Sequence, residues 1–471
     1  MEQLLHHQFP GFRARVGVSR WDITPDRDVC AKNWGAAKSW FAAGVHRPLT
    51  ATALAIAPFD GNDPPMLLLS LDLGWWRSRR DADAFHTRMV NELALPEANV
   101  IVHITHTHAG PALDSDAPPE ANPDACRAYL AHLTQACVQG AREALANLEP
   151  ANALFRHGRC ALATERDFID PANPARYITG FNPGASADDT LLAGLLLSDA
   201  GRPLATLVNY ACHPTTLAWE NTLISPDYPG AMRELIEPQT GGAPCLFLQG
   251  ASGELAPAEQ YSGDPNLADR HGRELGHAAL SVLTPLASGA SHLRYGGVVE
   301  SGAPLATWHA SKQPASRSLR ASIVAVDFDL KADLPTISEI ESRLAQNPDG
   351  FLHERLLRQR RVRASVGDGT QSTEKLWFWR LGDAALCALP FEAYSAVQTE
   401  LRAAFPNTPV LMLNVCNGNV GYLPPATLYD HNLYTVWQTP FARGGHERLI
   451  KAALAGVREL FQDQPAHRKV D

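Results

Sequence analysis

The chain has 471 residues, of which 45% are hydrophobic and 19% are charged, and its formal net charge is −9. This length and apolar content suffice for a large core. The acidic balance and the lack of a Lys/Arg stripe interleaved with aromatic residues argue against binding to nucleic acid or an anionic membrane.

The termini and the cysteines bear on the cellular compartment. The N-terminal stretch lacks the basic and apolar segments of a secretory signal, and no apolar run reaches the roughly 18–20 residues that span a bilayer. The eight cysteines are scattered without a Cys-x-x-Cys pair, which is typical of reduced, buried thiols. We therefore expect a cytoplasmic protein without stable membrane association.

A pattern of apolar strand, amphipathic helix and second apolar strand occurs three times, over residues 66–111, 204–257 and 384–425. Such units usually form two parallel strands with a right-handed crossover. The pattern predicts an α/β fold: a mixed β-sheet core, in one sheet or two packed sheets, with flanking helices. We expect a short tail over residues 1–14 and a single domain over 15–471.

Polar side chains gather where these apolar strands end, which is where ligands bind in α/β folds. They include Asp72, His106, His108, His213, Glu254, Glu392 and Tyr422. On a continuous strand His106 and His108 would share one face, whereas His103 would point to the other and be structural. Two imidazoles on one face could converge on a metal or handle protons, or they could be hydrogen-bonded core residues.

Other candidates are ambiguous when taken singly. Glu392 could simply favour a helix N-terminus, and Tyr422 could be a buried aromatic residue. The arginine-rich stretch 353–363 could bind an anionic group, although a solvated helix face is the commoner structure. Several tryptophans could line a pocket or belong to the core: Trp34, Trp40, Trp75, Trp76, Trp219 and Trp437.

The sequence resembles the neutral/alkaline non-lysosomal ceramidases from about residue 15 to residue 460. The resemblance rests on motifs that occur in the family's order: VGVSRWDITP, GVHRPLTATALAI, SLDLGWW, THTHAGP, NYACHPTTL, LISPDYPG, FLQGASGELAP, ALPFEAY, NGNVGYLP and FARGGHERLI. The family consists of zinc amidases, so the resemblance implies one Zn²⁺ per chain and hydrolysis of an amide by zinc-activated water.

The resemblance also implies roles for individual residues. The zinc ligands would be His106, His213, Glu392 and Tyr422. His108 would lie beside the metal as an acid/base group or a substrate contact, and Arg166 would contact substrate, on a looser local match. We also assign Asp72 to substrate binding.

Two departures from the family pattern bear on the substrate. The family carries a catalytic serine in a Gly-Asp-Val-Ser-Pro-like stretch, where this chain has Gly253-Glu254-Leu255-Ala256-Pro257. A mechanism that needs this hydroxyl is excluded, which leaves His108 or Glu254 to move protons. The family also continues into a C-terminal immunoglobulin-like domain, which we do not expect here. The expected absence of this domain and of a secretory signal argues against ceramide in a membrane as the natural substrate.

We therefore expect a zinc-dependent hydrolase that cleaves an amide bond of a soluble small molecule. The same site could instead cleave an ester, lactone or glycoside. The alternative from another class is a metal-binding protein without hydrolytic activity, a sensor or a decayed enzyme.

Overall fold

The computed structural model describes residues 5–462. Its strands are, in chain order, β1 (His6–Gln8), β2 (Gly11–Asp22), β3 (Gly44–Val45), β4 (Thr50–Ala57), β5 (Met66–Leu71), β6 (Val100–Ile104), β7 (Glu149–Arg159), β8 (Ala163–Glu165), β9 (Asp167–Ile169), β10 (Tyr177–Thr179), β11 (Thr190–Ser198), β12 (Pro203–Tyr210), β13 (Leu223–Ile224), β14 (Cys245–Gln249), β15 (Leu255–Pro257), β16 (His292–Glu300), β17 (Pro304–Ser311), β18 (Leu319–Asp329), β19 (Gln371–Leu381), β20 (Ala384–Ala388), β21 (Glu392–Ala393), β22 (Val410–Leu413) and β23 (Tyr422–Leu423).

The α-helices are α1 (Arg79–Leu93), α2 (Pro123–Ala146), α3 (Tyr228–Gln239), α4 (Pro265–Leu283), α5 (Ile337–Gln346), α6 (Gly350–Val366), α7 (Ala396–Ala404), α8 (Tyr434–Gln438) and α9 (Gly445–Leu460). In the described range, no helix is long and apolar enough to cross a membrane.

Two mixed sheets form the centre of the molecule. The larger sheet has eight strands in the order β14-β12-β11-β7-β2-β4-β5-β6, and the smaller has four in the order β18-β19-β20-β22. Alternate residues of the larger sheet, such as Leu68 and Phe155, pack against Trp379 and Leu411 of the smaller one in a single apolar cluster. The two sheets therefore lie face to face.

Helices cover the outer face of each sheet. The opposite side chains of the larger sheet, such as Leu69 and Phe247, pack with residues of α1–α4, while α7 and α9 pack on the smaller sheet. Strands β5 and β6 are almost entirely apolar, except for Ser70 and His103, as is typical of strands with both faces buried.

All three predicted strand–helix–strand units are present. The pairs β5/β6, β12/β14 and β20/β22 are parallel, and each is connected through its helix, α1, α3 or α7. The predicted mixed α/β core is thus confirmed, in the form of two packed sheets. The eight cysteines are all buried and free.

The N-terminal boundary differs from the prediction. Residues 6–8 form β1, which pairs with β16, and β2 begins at Gly11 in the middle of the larger sheet. Much of the segment assigned to a tail is therefore built into sheets, because its alternating apolar residues Phe12 and Ala14 are buried in the core. Residues 1–4 and 463–471 lie outside the described range, and the single domain over 15–471 stays a prediction.

Candidate metal centre

Three histidines converge beyond the carboxyl ends of two strands of the larger sheet. His106 and His108 follow β6, and His213 follows β12. One ring nitrogen from each lies within 4.8 Å of the others. The ring centroid of His106 is 5.0 Å from that of His108 and 5.0 Å from that of His213.

The backbone route to this cluster differs from the one predicted. Strand β6 ends at Ile104, and His106 adopts a left-handed conformation with φ 68°. The two imidazoles therefore meet through a loop and not through a shared strand face. Such a backbone conformation is uncommon outside glycine, although histidine adopts it more often than most residues.

His103 takes the structural position that its place on the strand indicated. Its Nε2 accepts the backbone N–H of Gln249 at 3.0 Å, and its Nδ1 lies 3.4 Å from the Ser70 hydroxyl. The imidazole thus links β6 to β14 and β5 inside the core.

Backbone carbonyls orient the imidazoles of His106 and His213. Nδ1 of His106 lies 2.6 Å from the Gly74 carbonyl oxygen, and Nδ1 of His213 lies 2.6 Å from that of Ser252. A carbonyl only accepts, so each Nδ1 carries a proton, and in the neutral imidazole Nε2 is then the nitrogen with a lone pair for a metal. Metal-binding histidines are commonly held in this way.

Both Nε2 atoms lie close to one carboxylate oxygen. Oε2 of Glu392 lies 3.4 Å from Nε2 of His106 and 3.2 Å from Nε2 of His213. The Glu392 carboxylate is itself buried. Three electron-pair donors thus face each other in a buried space, an arrangement that a cation would stabilise.

Tyr422 lies beside this carboxylate because β21 and β23 pair in parallel with Glu392 directly opposite Tyr422. The Tyr422 ring stacks at 6.4 Å from the His213 ring. Burial and the Glu392 carboxylate raise the pKa of the Tyr422 hydroxyl well above its ordinary value.

The distances fit a zinc ion. Zinc–nitrogen and zinc–oxygen bonds of about 2.0–2.1 Å in a tetrahedron separate neighbouring ligand atoms by about 3.3–3.4 Å. The two separations between Glu392 and the imidazoles, 3.2 and 3.4 Å, match this edge. Two imidazoles, a carboxylate and a phenol also form a nitrogen/oxygen donor set that suits zinc.

His108 is set apart from this pair by its surroundings. Neither of its ring nitrogens has a hydrogen-bond partner among residues 5–462. Its ring centroid is 5.1 Å from that of Trp34 and 4.9 Å from that of Trp75. Burial, followed by the nearby His106, lowers the pKa of His108 well below its ordinary value.

Arg166 lies beside Tyr422 at the candidate centre, and its contact with substrate stays a prediction. Its Nη2 donates to the Tyr422 hydroxyl at 3.1 Å and to the Gly253 carbonyl at 2.5 Å. The guanidinium therefore borders the Glu392–Tyr422 side of the site.

Asp72 and Glu254 are not brought to the imidazoles. Asp72 is fully buried and forms an ion pair with Arg233 through distances of 2.6 and 2.7 Å, with further bonds from Thr50 and Thr105. The Glu254 carboxylate accepts the backbone N–H and the hydroxyl of Ser395, just before α7. Burial raises the pKa of Glu254 to about 8.

The position at which the ceramidase family would have its catalytic serine is closed to solvent in this chain. Ala256 is fully buried in β15. The nearby Ser252 hydroxyl accepts a hydrogen bond from the side-chain amide of Gln249 at 2.7 Å. The backbone carbonyl of Ser252 contacts the candidate centre, because it accepts the hydrogen bond from Nδ1 of His213.

Some groups that contribute to the candidate centre had no distinctive signal in the sequence. The Gly74 and Ser252 carbonyls are backbone groups that every residue possesses. Trp34 and Trp75 were visible as tryptophans, but nothing in the chain order placed them against His108.

No family model and no curated protein matches this sequence. Among solved structures, the chain is similar to a ceramidase complexed with C2, with a TM-score of 0.68, 14% identity and coverage of 97% of this chain and 76% of that one. It is also similar to the neutral ceramidase from Pseudomonas aeruginosa, with a TM-score of 0.66, 16% identity and the same coverage. The chain therefore has a ceramidase-like fold, as the motifs predicted.

Proposed function

We propose that this protein is a zinc-dependent hydrolase that cleaves an amide bond of a small molecule. The observation that carries the proposal is the convergence of two carbonyl-oriented imidazoles, His106 and His213, on one oxygen of Glu392. The ceramidase-like fold supports it. Ceramide itself is a poor candidate, because a fully buried alanine, Ala256, stands where the family has its catalytic serine.

The proposed ligands are His106, His213, Glu392 and Tyr422. When bound there, zinc would polarise the amide carbonyl and lower the pKa of a water molecule. His108 lies beside these ligands, and both of its ring nitrogens lack a hydrogen-bond partner within the described residues. We assign to it the proton transfer between water and the leaving amine, since it can hold a proton without giving up another bond.

Arg166 and Glu254 have different proposed parts. Arg166 stabilises the Tyr422 hydroxyl and presents positive charge to substrate beside it. Glu254 positions the segment between Glu392 and α7 through Ser395, so we propose a positioning role for it in place of proton transfer.

Metal analysis of the purified protein tests the ligand set. We expect about one zinc per chain, lost in the His106→Ala and His213→Ala variants. The control is His132→Ala, an exposed residue of α2. Retention of the metal in both ligand variants would show that the ligand set is wrong.

A panel of amides, esters, lactones and glycosides, with and without a chelator, tests the reaction. Turnover of amides that disappears with the chelator and returns with zinc supports the proposal. Zinc binding without turnover of any substrate would favour the non-hydrolytic alternative.

A further inference from the structure

The arginine-rich stretch forms α6, and this helix lies beside the candidate metal centre. Val362 is near Gly421, since a Cβ built on that glycine would be 3.6 Å from it. At the other end, Glu354 lies against Gly35, which follows the site residue Trp34. The helix therefore extends from the Tyr422 side of the site to the His108 side.

One arginine of α6 reaches the aromatic residues around Tyr422. Arg358 donates from Nη1 to the Tyr434 hydroxyl at 2.7 Å. The Tyr434 ring in turn lies 5.5 Å from the Tyr422 ring. A single tyrosine thus separates this guanidinium from a proposed ligand.

A second arginine approaches from the His108 side. The Cζ atom of Arg77 lies 5.6 Å from the ring of Trp75, which contacts His108. Its Nη2 donates to the Lys32 carbonyl at 2.6 Å and to Oδ1 of Asn33 at 2.9 Å. Arg77 is thereby held in a fixed position near the site.

The positive charges of Arg77, Arg358 and Arg361 are incompletely balanced by nearby carboxylates. Arg361 pairs with Asp114 at 3.2 Å, and Glu354 adds a negative charge that acts on Arg358 and Arg361. Among residues 5–462, Arg77 and Arg358 form no ion pair and donate to neutral oxygens.

Two further observations describe the surroundings of the Arg77 guanidinium. Its Nε is buried without a hydrogen-bond partner in the described part of the chain. Burial, and then the neighbouring Arg361, lower the pKa of Arg77 to about 10. Enclosed charges normally have a charged partner, and both residues keep part of their surface exposed to solvent.

We propose that the substrate carries an anionic group, a carboxylate or a phosphate, which Arg77 and Arg358 bind while the scissile amide lies at the imidazoles. A guanidinium suits this role because its planar fork matches both kinds of oxyanion. The inference rests on the proposed hydrolase function and names its substrate class.

Matched substrate pairs test the inference. The carboxylate arm compares N-acyl-alanine with the neutral N-acyl-alaninol, and the phosphate arm compares an N-acylethanolamine phosphate with the N-acylethanolamine. We expect kcat/KM to favour the anionic member of one pair by roughly tenfold or more, because hydrogen bonds to charged groups contribute more than neutral ones. Equal kcat/KM values in both pairs would overturn the inference.

Variants test whether Arg77 and Arg358 cause the preference for an anionic substrate. Arg77→Gln and Arg358→Gln should each lower the anionic-to-neutral ratio of kcat/KM by about tenfold. The matched control is Arg360→Gln, an exposed residue of α6 that pairs with Glu341, which should leave the ratio unchanged. A ratio that is unchanged in all three variants would also overturn the inference.

A binding measurement separates this inference from the hydrolase proposal. Calorimetry with acetate and inorganic phosphate on folded, chelator-treated protein should show binding that weakens in Arg77→Gln and Arg358→Gln. Such binding without metal-dependent turnover would contradict only the hydrolase function. Turnover without anion preference or anion binding would contradict only the anionic substrate.

Discussion

Glu392 and Tyr422 lie directly opposite each other in the two-residue parallel pair β21/β23, although α7 and β22 separate them in the chain. This short pair follows β20 and β22, the parallel strands of the smaller sheet. It aims the carboxylate at His106 and His213, which come from the larger sheet. The candidate centre thus joins the two sheets.

The first prediction concerns this carboxylate. Glu392→Gln keeps the size of the side chain but removes the negative charge shared by the two imidazoles. We expect zinc affinity to fall by at least about tenfold, since even indirect partners of a metal are worth about 10–100-fold. Zinc content and competition with a chelator measure it, with the exposed Glu341→Gln as control. Unchanged affinity would remove Glu392 from the ligand set.

The second prediction is that His103 has a structural role and does not bind the metal. His103→Phe should leave the zinc content unchanged but lower the free energy of unfolding by about 1–3 kcal/mol, because the Gln249 N–H loses its acceptor inside the core. Urea denaturation and metal analysis check the two parts. Loss of zinc from a folded variant would contradict the structural role.

The third prediction concerns Glu254. Because its carboxylate accepts from Ser395, Glu254→Ala should cost about 1–2 kcal/mol of stability. Glu254→Gln keeps an acceptor and should retain most of the stability and turnover. A well-folded Gln variant whose turnover falls by more than about a hundredfold would instead indicate direct proton transfer, which contributes on that scale.

The fourth prediction is a pH dependence of stability. Burial alone would raise the pKa of Asp72, but the Arg233 guanidinium and the bonds from Thr50 outweigh it and lower this pKa below its usual value. The folded state therefore binds fewer protons at this carboxyl than the unfolded state, and the stabilisation is lost as the pH falls below about 4.

Asp72→Asn tests the same pair. Breaking a buried ion pair typically costs about 3–5 kcal/mol, so the variant should be less stable at neutral pH and lose less stability than wild type on acidification. Denaturation curves between pH 3 and 7 measure this difference. Parallel pH profiles for the two proteins would show that Asp72 does not cause the acid sensitivity.

The sequence predicted the fold well where local patterns dominate. The three units were recognisable because buried parallel strands read as apolar runs and their helices carry one apolar face. The segment before residue 15 was missed since β1 and the start of β2 depend on pairing with β16 and β7, which lie far along the chain.

The predicted site residues divide by their surroundings. Those that follow parallel strands and face the space between the loops, such as His106, His213 and Glu392, come together in the structure. Asp72 also follows a strand, but Arg233 of α3 donates hydrogen bonds to both of its carboxylate oxygens. The sequence could not distinguish the two cases because a charged partner supplied by another element has no local signature.

The sequence by itself determined the alternation of strands and helices and the kinds of side chain at the strand ends. Tertiary structure decided which of these side chains meet. It turned His106 through a left-handed backbone conformation, fixed two imidazoles with the carbonyls of Gly74 and Ser252, and placed α6 beside them. The physical reason is that hydrophobic periodicity is encoded locally, whereas the balance of buried charges depends on residues that meet only when the two sheets pack together.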